Sequence, residues 1–186
     1  LGIIIGILVV ILVAVVAASY NRFVNQRQLI DNAWSNVDAE LKRRHDLVPN
    51  LVSTVKGYAA HERTTLEAVI AARAGADAAP HEPGAAAGPE NVLTNALGKL
   101  LAVSEAYPEL QADASFLRLQ AELVTTENRI QAARRFYNNN VRDYNTRVQS
   151  VPSNVLASIF GFHTREWFEI EQVQRGVPGV SFGSDS

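Results

Sequence analysis

The stretch that decides the fold runs from Arg43 to Glu62 and reads RRHDLVPNLVSTVKGYAAHE. It sets Pro49 inside spacing that otherwise belongs to a helix. It also holds two histidine–carboxylate neighbours, His45-Asp46 and His61-Glu62. Two readings compete for it: an active site, or a surface built for packing and assembly. Working outward, Ile30, Trp34, Val37, Leu41, Val48, Leu51, Val55 and Tyr58 recur at alternating steps of three and four, with one gap at Arg44. Leu66, Val69 and Ile70 continue the stripe. Such a pattern marks an amphipathic or coiled-coil seam and predicts one long helix from Tyr20 to about Ala74. A proline in a helix interior removes one amide bond, clashes with the carbonyl four residues back and costs about 3 kcal/mol. The pattern resumes in phase after Pro49, which predicts a kink rather than an end.

Upstream, Leu1 to Ala18 reads LGIIIGILVVILVAVVAA, without a charged or polar side chain. As a helix this length covers roughly 27 Å, against roughly 30 Å for a hydrocarbon core. It reads as a membrane span, with Tyr20 and Arg22 as interfacial aromatic and snorkelling cation. A cleaved signal peptide, with Val16 and Ala18 flanking a small-residue site, is the alternative. The chain does not begin with methionine, which leaves room for residues before Leu1.

Downstream, Ala74 to Pro89 is dominated by alanine, glycine and proline and reads as a flexible connection. A second helix is predicted from about Glu90 to Ala106, with Leu93, Leu97, Leu100 and Leu101 on one side. Tyr107-Pro108 interrupts it. A third runs from near Asp113 to about Gln149, its seam formed by Phe116, Leu119, Leu123, Thr126, Ile130, Ala133, Tyr137, Asn140, Tyr144 and Val148. After Val151-Pro152, Ser153 is placed to cap a short helix, Asn154 to Phe160. The remainder reads as an extended strap with a mobile tip. The expected fold is therefore all-α: an N-terminal transmembrane helix followed by an antiparallel bundle, three long helices plus one short. The expected divisions are an anchor over 1–19, a bundle over 20–162 with its connection at 74–89, and a strap and tail over 163–186.

The search for chemistry returns little. There are no cysteines among the 186 residues, so thiolate metal sites and disulfides are excluded. A net charge of −2 gives no reason to expect nucleic acid as a partner. HERTT at His61 to Thr65 approaches the HExxH zinc motif, but Thr65 stands where the second histidine belongs. No metal or cofactor is expected. Adjacent residues on a helix point about 100° apart, so His45 and Asp46 do not form a dyad by themselves. Lys42, Arg43 and Arg44 form a basic run, read as a solvated face or bundle salt bridges, with anionic lipid as the sharper alternative. Asn138, Asn139 and Asn140 are unusual on a helix and serve either as register-fixing amides or as a solvated turn.

Taken together, the chain resembles the LemA family of bacterial membrane-anchored proteins. The resemblance is carried by RRHDLVPNLVSTVKGYAAHE, SEAYPELQAD from Ser104, LQAELVTTENRIQAARRFYNNNVRDYN from Leu119, VPSNVLASIFGF from Val151, and Val180-Ser181-Phe182. The matching positions include Arg44, Asp46, Pro49, Asn50, Gly57, His61, Glu62, Glu127, Asn128, Arg129, Tyr137, Asn138, Tyr144, Asn145 and Pro152. The resemblance implies a single N-terminal membrane helix, a long-helix bundle and no catalytic residues. It also implies membrane proteins, such as a membrane protease, as neighbours. Residues 163–174 and the alanine-rich connection depart from the family pattern.

Two functions are expected from these readings. The first is a membrane-anchored, self-associating scaffold, not an enzyme, that organises the bilayer or partner proteins. The second is a hydrolase accessory or weak hydrolase using His61 and Glu62 in a cleft between helices. The expected location is the bacterial inner membrane, single-pass, with the bundle facing the cytoplasm because Arg22 and Arg27 follow the span. A homo-oligomer is expected because the first helix's stripe is longer than the second helix can cover.

Overall fold

The computed structural model describes residues 1–170, and all regular structure there is helical. The elements are α1 (Gly2–Tyr58), α2 (Arg63–Asp77), α3 (Pro83–Ser104), α4 (Pro108–Gln111), α5 (Ala114–Gln149) and α6 (Ser153–Phe160). At 1.5 Å per residue α1 is about 85 Å long. Its first part is a candidate membrane span, with every side chain from Leu1 to Val15 exposed. Beyond it, α1 is the rod against which α2, α5 and α6 pack, and α3 packs chiefly on α2.

Contacts fix the directions. Arg73 of α2 reaches the backbone of His45, so α2 folds back along α1. Glu90 and Thr94 of α3 reach Arg44, and Tyr107 after α3 reaches Glu62, so α3 runs outward again. Tyr58 meets Asp113 at one end of α5, and Phe23 meets Tyr144 near the other, so α5 returns towards the span. The result is an antiparallel bundle with two apolar cores. The distal core joins Val48, Leu51 and Val55 of α1 to Leu66 and Val69 of α2, Leu93, Leu97 and Leu100 of α3, and Phe116 of α5. The proximal core joins Phe23, Ile30, Val37 and Leu41 to Ile130, Tyr137, Val141 and Tyr144, and is closed by Phe162, Phe168 and Ile170.

Several expectations are corrected. The long helix does not reach Ala74: it ends at Tyr58, and residues 59–62 turn the chain back. The stripe stays in phase because α2 rejoins the same core from the opposite direction, which periodicity cannot distinguish from continuation. Gly57, a poor helix former, precedes the break. The connection is much shorter than residues 74–89, because α2 extends to Asp77 and α3 starts at Pro83. Alanine is the best helix former, and proline is tolerated in a first turn where its missing N–H has no helical partner. Asn140 does not join the α5 seam; Val141 is buried in its place. Ser153 does not cap α6: its hydroxyl donates backwards to the carbonyls of Arg147 and Ser150, at 2.7 and 2.9 Å. Gly161 ends α6 with φ of 69°, in the left-handed region that favours glycine. The expected tail beyond residue 170, including Val173 and Val180-Ser181-Phe182, lies outside the described residues.

The strap also changes the argument for assembly. Residues 162–170 lie along α1 and α5 and bury the proximal stripe within the chain. The apolar seam of α1 is therefore covered without a neighbour, and seam length alone does not call for one.

Candidate functional site

The gap in the α1 stripe is the centre of the molecule. Arg44 occupies a seam position and is 0% exposed. Its guanidinium donates to the Glu90 carboxylate, to Thr94 Oγ1 at 2.8 Å and to Glu127 Oε2 at 3.0 Å. Glu90 is itself buried, and its other oxygen meets His45 Nε2 at 2.8 Å. On the far side of the ring, His45 Nδ1 lies 3.6 Å from Asp77 of α2. Five side chains from α1, α3 and α5 thus form one buried polar cluster, with α2 at its rim. Burial pushes the Glu90 carboxyl up, but the His45 hydrogen bond and the Arg44 charge together outweigh it and hold it below its ordinary value.

Pro49 belongs to this arrangement. Its ring nitrogen cannot donate to the carbonyl of His45, four residues back. That carbonyl accepts instead from Arg73 Nε of α2, at 2.9 Å. The proline thus frees an acceptor inside α1, and α2 docks on it. Beside the cluster, Asp38, Leu41, His45, Asp77, His81 and Glu90 line a small cleft of about 170 Å³. His81 closes it, its Nδ1 2.9 Å from Asp38 and its carbonyl accepting from Trp34 Nε1 at 2.7 Å. The Asp38 hydrogen bond raises the His81 pKa above its ordinary value.

A second polar constellation grips the strap. Asn138 donates to the Phe168 carbonyl and accepts from the Phe168 amide, both at 3.0 Å. Asn145, seven residues on and so on the same helix face, does the same for Arg165, at 2.9 and 2.8 Å. Between them Tyr137 donates to the Glu166 carbonyl at 2.8 Å. Burial pushes the Tyr137 phenol up to about 12. A strap without a neighbouring strand has unpaired backbone groups, and side-chain amides with one donor and one acceptor satisfy them pairwise.

The remaining family-motif residues are dispersed. Asp46, Pro49, Asn50, Gly57, His61, Asn128, Arg129 and Pro152 are exposed. His61 sits in the turn between α1 and α2, and Glu62 beside it accepts from Tyr107 Oη at 3.0 Å. Arg129 lies 3.8 Å from Glu40, a surface pair worth little. Tyr144 is buried against Phe23. The basic run splits: Lys42 and Arg43 face solvent, whereas Arg44 is interior. His45 pairs with Glu90 across helices and not with its neighbour Asp46, and Glu90, Thr94 and Arg73, which also meet the cluster, carry no motif signal. Among the described residues no group of three or more histidine or acidic side chains is arranged to hold a metal ion.

The family model described as LemA family matches residues 33–182, which takes in the cluster and the strap. The chain belongs to the LemA family. Magnetosome protein MamQ 2 of Paramagnetospirillum magneticum is 30% identical over 186 aligned positions, 87% of this chain and 68% of that protein. Magnetosome protein MamQ of Magnetospirillum gryphiswaldense is 28% identical, over 80% of this chain and 64% of its own length. Protein LemA of Metamycoplasma hominis is 23% identical, over 83% and 71%. Family membership and the apolar start of α1 together describe a membrane-associated helical protein.

Proposed function

We propose that this protein is a membrane-anchored scaffold without catalysis of its own, which self-associates and holds partner membrane proteins at the cytoplasmic face of the cell membrane. The observation that carries the reading is the commitment of Arg44, His45 and Glu90 to one another inside the core. These groups are spent joining helices, and the cleft that His45 and Glu90 border is small, about 170 Å³. His61 and Glu62, the pair of the hydrolase alternative, lie at the turn, with Glu62 engaged by Tyr107.

Self-association is supported by a groove of about 500 Å³ between α3 and α5. Leu97, Leu101, Leu123 and Val124 line it together with the polar Arg44, Thr94, Glu127, Asn128 and Gln131. Val124 and its neighbour along the helix, Leu117, are exposed. The anchor adds to this by confining chains to a plane and raising their effective concentration. Arg22 and Arg27 after the span support the cytoplasmic placement.

The absence of native cysteines makes the test direct. Val124→Cys in native membranes is expected to give disulfide-linked dimers on mild oxidation, while Glu67→Cys on the exposed face of α2 stays monomeric. Equal cross-linking at both positions, or none at Val124, would overturn the assembly face. Protease treatment of spheroplasts tests the orientation; digestion of the bundle from outside would reverse it.

A further inference from the structure

Where α1 leaves its apolar segment, a groove of about 770 Å³ opens between α1, the end of α5 and α6. Its walls are of two kinds. Leu12, Val15 and Val16 from α1 and Val155 and Leu156 from α6 form an apolar side. Arg22 of α1 and Arg147 of α5, with Ser19, Thr146 and Ser150, form a polar end at the depth where the span stops.

The two arginines are incompletely matched. Both line the one groove, and burial first, with the Arg22 charge second, lowers the Arg147 pKa from its ordinary value. Arg147 Nε is buried without a hydrogen-bond partner among the described residues. Among the described residues the one carboxylate lining the groove, Asp143, lies 3.5 Å from Arg142 and is largely in solvent. Two cations facing one cleft, with an unfilled donor, call for an anion between them.

Helix α6 says where that anion sits. Val151, Val155 and Ile159, spaced at intervals of four, are 81, 57 and 68% exposed, and Phe160 beside them is 43% exposed. Phe160 also packs edge-on to Tyr20 at 5.1 Å, which pins α6 to the end of the span. With the chain anchored by the start of α1, an outward apolar face beside the end of the span is placed to meet the acyl region. The groove then opens to lipid, not to bulk water.

We infer that this groove is a binding site for one anionic phospholipid, its phosphate held between Arg22 and Arg147 and its acyl chains laid along Leu12, Val15, Val16, Val155 and Leu156. The inference rests on the anchored reading of α1. Surface arginines are each worth about 5-fold in affinity for anionic lipid, so the pair implies about 30-fold.

The test uses the full chain, purified in mild detergent and exchanged into nanodiscs of phosphatidylcholine containing phosphatidylglycerol. Native mass spectrometry then counts retained lipid. The expected result is retention of phosphatidylglycerol over phosphatidylcholine by about 30-fold, falling to near parity in R22Q/R147Q. R142Q, outside the groove, should keep the preference, and R22K/R147K should keep most of it. Unchanged retention in R22Q/R147Q, equal loss in R142Q, or displacement of the lipid by millimolar inorganic phosphate would overturn the proposal. Failure of the wild-type chain to enter nanodiscs would instead overturn the anchor on which it rests.

Discussion

Replacing Arg44 with methionine tests the buried cluster. Methionine fills much of the arginine stem but removes every donor. Glu90, 3% exposed, is then left as a buried carboxylate with His45 as its remaining partner. Breaking a buried ion pair from one side costs about 3–5 kcal/mol. Thr94, also buried, loses its hydrogen bond, adding about 1 kcal/mol. Glu127 is 28% exposed in its side chain and can turn to water, so its loss adds little. The expected destabilisation of Arg44→Met is thus about 4–6 kcal/mol. In R44M/E90Q no buried charge is orphaned and the His45 bond has an amide in place of the carboxylate, so the loss should fall to about 1–2 kcal/mol. Urea unfolding of the full chain in mild detergent, followed by far-UV ellipticity, reads both. A loss below about 1 kcal/mol in R44M, or a double variant as weak as the sum of the singles, would refute the assignment. The pH dependence has a definite sign. The folded Glu90 pKa lies below its ordinary 4.5, so its contribution is full above that value and is lost as pH falls through the folded pKa. The wild type should therefore lose stability in that acid window, and R44M should show a shallower loss.

Further outcomes follow from the same contacts. Asn138→Ala and Asn145→Ala each remove two strap hydrogen bonds, about 1–3 kcal/mol apiece, and should speed limited proteolysis between residues 161 and 170 while leaving helix content unchanged; unaltered cleavage would refute the clamp. Arg73→Ala should cost about 1 kcal/mol in the wild type and almost nothing in a Pro49→Ala background, where residue 49 can donate to the His45 carbonyl itself. Equal costs in both backgrounds would refute the link between proline and arginine. The His81 imidazole should titrate above its ordinary 6.5 by NMR, and lower in Asp38→Asn than in the wild type. Because the folded pKa is raised, the stability it brings is present below 6.5 and lost as pH rises through the folded value.

Much of this fold is legible in the sequence because helical periodicity is a strong signal. The limits of α5, the apolar span and the stripe through Pro49 follow from spacing and a cap: Asp113 accepts from the Phe116 amide at 2.8 Å, as an N-cap aspartate should. The reversal at residues 59–62 is not legible, since a stripe that folds back on itself has the same period as one that continues. The cluster was half visible. Arg44 announces itself as a charge at a seam position, and Glu90 stands three residues before Leu93, at a seam position of its own helix. An unpaired base on one stripe and an unpaired acid on another are complementary, and pairing them was the available signal. The partners lie 46 and 83 residues apart, so chain order alone gives no reason to join them. The strap is legible as an extended segment, but its docking is not: it has no period, and its order comes from Asn138 and Asn145 on α5, amides whose spacing does not say that they bind backbone.

The central claim is that this chain works as an assembled, membrane-anchored structure. Its most direct test is the mass of the full chain in mild detergent at micromolar concentration, measured by light scattering with the detergent contribution subtracted. The account predicts a particle of two or more chains, reduced towards one by Val124→Lys in the α3–α5 groove without loss of helix content. A single-chain mass for the wild type, with the span intact, would contradict it.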